Sequence, residues 1–426
     1  MNTLIIGSGG REHAFARQIV QSKKSKSVFV APGNAGTAQI ATNLDDIDVD
    51  DFQAIEKAIL QHNIQMLIIG PELPLVKGIT DYIQNNDKLK HVKVIGPAQS
   101  AAQLEGSKAF AKEFMQRYAI PTASYQSFTK NTIEEGKRFL ETLKPPYVLK
   151  ADGLAAGKGV LIIDDLEEAQ NEFKAMLLEN KFGEASDTVV IEEFLSGIEL
   201  SVFVLTDGIN YKILPSAKDY KRIGVGDTGL NTGGMGAISP VPFVDNLLIK
   251  KIEERIVQPT LKGIQEEKMN YVGFIFLGLM ISDAGDPYMI EYNVRMGDPE
   301  SEVVLPRLKT DLLELFEAAA DKQLDKISLE IDNKAAATIM LVSGGYPEEY
   351  EKGKVITQLD KVEGSIVYHA GTKLQNGEVV TNGGRVLAVT SLAETFQEAI
   401  KKSYQNVEII TFDRMYYRSD IGSDLL

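Results

Sequence analysis

The sequence predicts an α/β protein that opens with a parallel, doubly wound sheet and closes with a smaller α/β unit. Short apolar runs alternate with amphipathic helical stretches from the N-terminus, as is typical of such a sheet. A glycine-rich loop separates two apolar runs in the middle of the chain, and strand patterns alternate with glycine turns from Ser328 onward. The chain has 426 residues, which is enough for roughly three domains of ordinary size.

Four apolar runs predict the strands of the N-terminal sheet, and helical stretches around residues 12–22, 52–62 and 74–85 separate them. The runs are Leu4–Ile6, Val28–Val30, Met66–Ile69 and Val92–Ile95. In such sheets the loops that follow the strands meet at one edge and bind ligands there. Glycines at the start of the first helix indicate a site for a lone phosphate. The residues assigned to it are Gly9, Gly10, Arg11, Asn34 and Glu72.

The same loops do not fit a dinucleotide site. The dinucleotide fingerprint requires a third glycine near the place that Glu12 occupies, and the second strand does not end in an acidic residue. Tight strand-to-helix turns without any ligand would also explain the glycines, and this alternative stays open.

Residues 147–163 have the composition of a phosphate clamp, with YVLK and VLII strands around the loop ADGLAAGKG. Lys150 ends the first strand and Lys158 lies in the loop, so two cations and several backbone N–H groups could enclose an anion. A Walker A loop is excluded, because Gly159 follows Lys158 where a serine or threonine is required. A tight hairpin with solvated lysines is the alternative.

Two segments after the clamp are candidates for ligand contacts. A strand over Thr188–Glu193 leads into Phe194 and Leu195, which could form an adenine slot with Glu199 accepting from ribose hydroxyls, although strand-end acids are often simply solvated. Residues 216–240 show little helical or strand pattern and are predicted to form a substrate-contacting loop. The loop residues assigned to the substrate are Asp219, Asn231, Thr232 and Gly233.

A predicted metal strand follows a helix over 246–268. Of the two strands Val272–Ser282 and Tyr288–Asn293, the second places Glu291, Asn293 and Arg295 on one face. Carboxylate and amide oxygens suit Mg²⁺, and an arginine offers a planar fork for a carboxylate or phosphate. An exposed face with an ion pair is the alternative. The remaining predicted helices lie near 107–117, 132–143, 166–178, 310–320 and 392–404.

Composition restricts the partners of the chain. With 45 Lys and Arg against 60 Asp and Glu the net charge is −15, which argues against nucleic acid or an anionic membrane as the main partner. There is no cysteine, so disulfides and thiolate chemistry are excluded. We expect a cytoplasmic protein. His13 and His369 are predicted to be structural, and Arg385, Arg418 and Asp420 to form structural ion pairs.

Together these parts indicate an enzyme that phosphorylates a carboxylate. A carboxylate does not condense with an amine in water until ATP has converted it to an acyl phosphate, which water then hydrolyses unless it is excluded. A glycine-hinged lid that closes over the phosphates is therefore expected to belong to the mechanism.

Several long motifs, in order along almost the whole chain, resemble the glycinamide ribonucleotide synthetase family, ATP-grasp ligases of purine biosynthesis. They are GSGGREHA, PGNAGTA, GPELPLVKGI, EGSKAFAK, KADGLAAGKGV, EEFLSGIELS, AKDYKRIGVGDTGLNTGGMGA, IEYNVRMGDPE, NGGRVL and YRSDIG. The resemblance implies a Rossmann-like domain over 1–103, a two-part ATP-grasp domain over 104–325 with a lid near 122–194, and a C-terminal domain over 326–426. It also implies that ATP, glycine and 5-phosphoribosylamine react to give glycinamide ribonucleotide, ADP and phosphate.

The resemblance assigns roles to residues of this chain. Lys108 and Lys150 are implied to meet ATP phosphates, and Glu291 and Asn293 to hold Mg²⁺ or Mn²⁺. The lid is implied to include Asp152, Gly153, Gly157, Lys158 and Gly159, and the nucleotide edge Glu192, Glu193, Phe194, Leu195 and Glu199. Glycine is assigned to Asp219, Asn231, Thr232, Gly233 and Arg295, and phosphoribosylamine to Gly9, Gly10, Arg11 and Asn34. Glu72 and Gly297 are assigned to the substrates in general.

Three further expectations concern a general base, the alternative activity and the oligomeric state. Tyr220 stands where many family members carry a histidine, so we expect no essential base there. A different ATP-grasp carboxylate–amine ligase or an ATP-dependent carboxylase is the alternative activity. We expect a monomer or a weak homo-oligomer.

Overall fold

The computed structural model describes residues 1–154, 159–179 and 181–425. The predicted N-terminal sheet is confirmed, with five parallel strands in the order β3-β2-β1-β4-β5. The strands are β1 (Asn2–Gly7), β2 (Ser27–Pro32), β3 (Thr42–Asn43), β4 (Met66–Ile69) and β5 (Lys93–Ile95). The direction of strand succession changes between β1 and β4, and doubly wound sheets bind ligands at that crevice.

Four helices connect these strands: α1 (Gly10–Ile19), α2 (Phe52–Gln61), α3 (Glu72–Val76) and α4 (Ile79–Gln84). The single helix predicted over 74–85 is wrong, because α3 ends before Gly78 and α4 begins after it. Gly78 has φ +88, a left-handed conformation that interrupts a right-handed helix. Helix α3 begins at Glu72, after the Gly70-Pro71 turn that follows β4.

The clamp strands belong to a second, antiparallel sheet in the order β6-β9-β7-β8. Elements of this region are α5 (Gln99–Gly106), α6 (Lys108–Arg117), β6 (Tyr125–Thr129), α7 (Ile133–Thr142), β7 (Tyr147–Ala151), β8 (Val160–Ile163), α8 (Leu166–Leu178) and β9 (Thr188–Glu192). The sheet packs on α7 and α8 around buried Phe128, Leu149 and Phe173. This core is separate from the two larger cores, so the clamp is carried by a layer with its own packing.

The segment 216–240 differs from the prediction, because it contains four short strands. The elements from here to the metal strand are β10 (Ile198–Thr206), β11 (Tyr211–Ile213), β12 (Lys218–Asp219), β13 (Arg222–Gly224), β14 (Thr228–Asn231), β15 (Gly236–Ser239), α9 (Asn246–Ile252), α10 (Gln258–Glu266), β16 (Gly273–Ile281) and β17 (Pro287–Asn293). The predicted helix over 246–268 is confirmed with a π-helical segment, Glu253–Val257, before Pro259. Strands β11-β10-β16-β17 form a third sheet, which holds the predicted metal strand at its edge.

The C-terminal unit is an antiparallel sheet, β12-β15-β18-β22-β19. The α-helices and strands that follow the metal strand are α11 (Ser301–Val304), α12 (Leu312–Ala320), β18 (Ala335–Val342), β19 (Ile366–His369), β20 (Thr372–Gln375), β21 (Glu378–Thr381), β22 (Arg385–Ala393) and α13 (Phe396–Val407). The final helix begins later than predicted, after a capping box at Thr395, because residues up to Ala393 continue β22. Since β12 pairs with β15, the C-terminal sheet carries Asp219 into the middle of the molecule.

Across the ranges that the structure describes, no helix combines the length and the apolarity that crossing a membrane requires.

The structural role predicted for two histidines is confirmed. His13 on α1 and His369 on β19 are 5% and 4% exposed, and Nδ1 of His13 accepts a hydrogen bond from the backbone N–H of His369 at 2.9 Å. The pair therefore joins the N-terminal unit to the C-terminal unit.

Because these two histidines are buried, we expect the free energy of unfolding to fall in mild acid. Burial lowers the pKa of His13 to about 3 and that of His369 to about 4, from 6.5. The unfolded chain binds protons first as pH falls, so the stabilisation is complete above pH 6.5 and decreases below it, by roughly 1.4 kcal/mol per pH unit and histidine. We expect the thermal unfolding midpoint to fall between pH 6.5 and about 5, and the His369→Gln variant to have a shallower slope. Parallel slopes for the two proteins would refute this.

Candidate active site

A cleft of about 1270 Å³ is lined by residues from the N-terminal unit, from the clamp and metal-strand sheets, and from the C-terminal sheet. Most of the residues that the sequence assigned to a site lie on its wall. They are Gly9, Arg11, Glu72, Lys108, Lys150, Gly159, Glu192, Glu193, Phe194, Leu195, Glu199, Asp219, Asn231, Thr232, Gly233, Glu291, Asn293, Arg295 and Gly297. The phosphate clamp, the nucleotide edge and the metal strand therefore face one space.

The floor beside the clamp is a buried cluster of two lysines and one glutamate. Oε2 of Glu192, at the end of β9, lies 2.9 Å from Nζ of Lys150 and 3.0 Å from Nζ of Lys112. Two ammonium groups against one carboxylate leave a net positive charge here, as a phosphate site requires. Sequence reasoning missed Lys112. Its spacing of four residues from Lys108 on one helix was the available signal.

Lys108 lies on the same wall, and its Nζ donates to the backbone oxygen of Gly153 at 3.4 Å. Asp152 has a different place from the one predicted. Its carboxylate accepts from the backbone N–H of Ala109 at 2.7 Å and from the hydroxyl of Ser107, so it anchors the start of the clamp loop to α6. Gly157 and Lys158 lie outside the described residues.

The nucleotide edge follows β9. Glu193 accepts from the backbone N–H of Ser124 at 3.0 Å, which ties this edge to the segment before β6. Phe194 is 42% exposed, so an apolar ring stands open beside the cleft. Glu199 is held at 2.7 Å by Nζ of Lys221, and this ion pair lowers the pKa of Glu199.

The predicted metal strand has room and donors for a hard cation. Glu291 on β17 faces Gly278 on β16, where a Cβ atom would lie only 3.2 Å from Cγ of Glu291. Glu291 and Asn293 supply one carboxylate and one amide to the cleft. No group of three His, Cys, Asp or Glu side chains within the described ranges could hold a metal. A partial donor set fits Mg²⁺ or Mn²⁺, since such a cation keeps waters and takes further oxygens from phosphates.

Arg295 is held by two glutamates. Its Nη2 lies 2.6 Å from Oε1 of Glu105, and its Nε lies 3.4 Å from Oε2 of Glu72, too poorly aligned for a hydrogen bond. Burial raises the pKa of Glu105 to about 7, and its other oxygen accepts from the backbone N–H of Val294. Sequence reasoning missed Glu105, because α5 carries no helical apolar pattern. The buried Nε thus has an ionic contact with Glu72 but no hydrogen bond among the described residues.

The loop predicted to receive a phosphate already has carboxylate partners. The backbone N–H of Gly9 donates to Glu12 at 2.6 Å, and that of Arg11 donates to Asp298 at 3.2 Å. The guanidinium of Arg11 donates to Glu12 and to the backbone oxygen of Met296. A phosphate here would meet two anions, so these contacts do not favour the assignment.

Gly10 and Asn34 do not line the cleft. The amide of Asn34 donates to the backbone oxygens of Ser8 and His369 and accepts from the N–H groups of Gly36 and Thr37. Asn34 is therefore used to hold the loop together.

The 216–240 segment contributes Asp219 to the lining of the cleft, which also contains Glu300 from the segment after the metal strand. Burial raises the pKa of Asp219, and burial beside Asp219 raises the pKa of Glu300 to about 8. The hydroxyl of Tyr220 donates to Asp424 at 2.7 Å, so this side chain is engaged structurally. The predicted ion pairs are confirmed: Arg385 lies 2.9 Å from Asp298, and Arg418 lies 2.7 Å from Asp420.

Comparisons with known proteins agree along the whole chain. Models of the N, ATP-grasp (A) and C domains of phosphoribosylglycinamide synthetase match residues 1–105, 106–301 and 336–424. The phosphoribosylamine–glycine ligase of Chlorobaculum tepidum is 46% identical over 100% of both chains. A bifunctional purine biosynthetic protein of Pichia angusta is 45% identical over 99% of this chain, which spans 53% of that relative.

A solved structure shows the same fold. The crystal structure of phosphoribosylamine–glycine ligase from Thermotoga maritima has a TM-score of 0.86 and 38% identity, covering 99% of this chain and 100% of that one. The predicted combination of a Rossmann-like unit with an ATP-grasp fold is thereby confirmed. The chain belongs to the phosphoribosylglycinamide synthetase family.

Proposed function

We propose that this chain joins glycine to 5-phosphoribosylamine at the expense of ATP, giving glycinamide ribonucleotide, ADP and phosphate in purine biosynthesis. The observation that carries the proposal is identity over the full length to a phosphoribosylamine–glycine ligase, 46% over 100% of both chains. The cleft adds chemical support, because lysine side chains that can bind phosphates and the metal strand face one space beside an arginine.

The reaction has two steps. A carboxylate oxygen of glycine attacks the γ-phosphorus of ATP, the bond to the β-phosphate oxygen breaks, and ADP leaves. The amine of phosphoribosylamine then attacks the carbonyl carbon of the glycyl phosphate. The C–O bond breaks, inorganic phosphate leaves and the nitrogen loses a proton. An acyl phosphate is reactive enough toward an amine that we assign no general base.

The residues have four roles in this proposal: they bind the phosphates, the adenosine part of the nucleotide, glycine and the metal. Lys108 and Lys150 bind the phosphates, with Gly153, Gly157, Lys158 and Gly159 as the closing loop. Glu192, Glu193, Phe194 and Leu195 edge the adenine, and Glu199 the ribose. Asp219, the loop 231–233 and Arg295 place glycine.

Glu291 and Asn293 would hold Mg²⁺ or Mn²⁺, which when bound neutralises charge on the nucleotide phosphates. The carboxylate and the amide come from one strand, β17, which belongs to a different sheet from the clamp strands.

The test of the function is ADP release by the purified full chain across a panel of carboxylates and amines. We expect release with glycine and phosphoribosylamine together. Release that requires bicarbonate, or that runs with another amino acid and amine but not with these two, would identify a different ATP-grasp activity. ATP binding without ADP release on any substrate pair would identify a non-catalytic module.

Arg295→Ala is expected to impair turnover with glycine more than ATP binding. The guanidinium lines the cleft and offers a planar fork for a carboxylate, and its Nε makes no hydrogen bond among the described residues although Glu72 lies 3.4 Å away. Losing a charge-assisted contact of roughly 1.5–3 kcal/mol would raise the KM for glycine about ten- to a hundredfold. The measurement compares steady-state kinetics in glycine with equilibrium ATP binding, using exposed Arg117→Ala as the control. Equal losses of both properties would contradict a role toward glycine.

A further inference from the structure

Lys112 is a buried lysine at the nucleotide end of the cleft with no role in the function proposed above. It lies in the middle of α6 and is 2% exposed. Its Nζ lies 3.0 Å from Oε2 of Glu192 and donates to the hydroxyl of Thr122 at 2.7 Å. The ring of Tyr125 lies 5.6 Å away on a third side. A buried ammonium is costly unless it is paired, so these contacts fix the position of the side chain.

The two carboxylate oxygens of Glu192, the partner of Lys112, differ in their contacts. Oε2 of Glu192 receives both lysines, whereas Oε1 is buried and has no hydrogen-bond partner among the described residues. Glu192 is 3% exposed and lines the cleft beside apolar Met115, Val148 and Leu195. An acceptor without a partner in an apolar slot is expensive unless a ligand supplies a donor.

We infer that Lys112 is a positioning residue for nucleotide selection, because it holds Oε2 of Glu192 and thereby leaves Oε1 unpaired and able to accept from the amino group of adenine. The inference rests on the proposed function, since it takes ATP to be the nucleotide. Guanine carries a carbonyl at the same ring position and would place an acceptor against Oε1.

A second consequence concerns Lys150. With two ammonium groups on one oxygen, Glu192 neutralises neither lysine fully, so Lys150 keeps positive charge for the phosphates. Without Lys112 the carboxylate would pair with Lys150 alone and would be free to turn Oε1 toward it. Both adenine recognition and phosphate binding would then weaken.

The experiment measures equilibrium binding of MgATP and MgGTP to the full chain by titration calorimetry, without glycine or phosphoribosylamine. For Lys112→Met we expect the Kd for ATP to rise about tenfold or more and the Kd for GTP to change less, so that the preference for ATP shrinks. In a Glu192→Gln background the same substitution should have a much smaller effect, because the two residues act as a unit. Exposed Lys262→Met is the matched control.

Equal losses of ATP and GTP binding, together with additive effects of Lys112→Met and Glu192→Gln, would show a merely structural role and overturn the inference. If Lys112→Met does not fold, Lys112→Gln keeps a donor for Thr122 without the charge and should show the same loss of preference. Ligation is followed separately in the wild-type chain by ADP release with glycine and phosphoribosylamine. A wild-type chain that binds ATP but does not ligate would therefore refute the proposed function and leave the binding test of Lys112 intact.

Discussion

Replacing Asp298 with alanine is expected to lower the free energy of unfolding by about 3 kcal/mol, the low end of the range for removing one partner of a buried ion pair. Asp298 follows the metal strand and connects it to the N-terminal unit and to the C-terminal unit. Its Oδ1 lies 2.9 Å from Nη2 of Arg385 in the C-terminal unit, and its Oδ2 accepts from the backbone N–H of Arg11 at 3.2 Å in the N-terminal unit. The alanine variant leaves one guanidinium and one helix N-terminus without these partners.

Urea denaturation of the full chain measures this effect. Asp298→Asn keeps the shape and one acceptor for Arg11, so we expect a smaller loss than with alanine. The side chain of Asp87 is 94% exposed and, among the residues that the structure describes, pairs only with Lys90. Asp87→Ala is therefore the matched control, with an expected change within about 0.5 kcal/mol. A change within about 0.5 kcal/mol for Asp298→Ala would show that the ion pair does not stabilise the fold.

The elements that were predicted correctly carry their own local pattern. The central runs Leu4–Ile6 and Met66–Ile69 are buried on both faces of the N-terminal sheet, so they form continuous hydrophobic segments. The elements that were missed depend on partners far along the chain. Strand β12 has only Lys218 and Asp219, and it exists because it pairs with β15, which pairs with β18. Helix α5 was missed because QSAAQLEG has no periodic apolar face of its own.

The candidate site follows the same division. Lys150, Glu291 and Asn293 were placed in the cleft because strand alternation and motif spacing are local properties. The partners of those residues were not predicted. Glu105 reaches Arg295 from a position 190 residues away, and no local signal reports such an approach.

The phosphate assignment at Gly9 and Gly10 shows that a local pattern can have a second explanation. A glycine-rich helix start is a general anion site, and here carboxylates of the protein occupy it. The position of Asp298 is set by packing between units, so the sequence pattern could not distinguish an internal acid from a substrate phosphate. Basic groups in excess over carboxylates are found instead at the clamp end of the cleft, where Lys112 and Lys150 share a single carboxylate oxygen.

Lys150→Met is accordingly expected to weaken ATP binding by about one to two orders of magnitude, the effect of losing a charge-assisted contact of roughly 1.5–3 kcal/mol. The fold should survive the change, because Glu192 keeps Lys112 as a partner at 3.0 Å and is not left as an isolated buried charge. Titration calorimetry with MgATP measures the affinity, and a thermal unfolding midpoint close to wild type confirms the fold. Lys137, a surface lysine on α7 paired with Glu134, provides the control variant Lys137→Met. An unchanged ATP affinity in Lys150→Met would remove this lysine from the phosphate site and with it the assignment of the clamp.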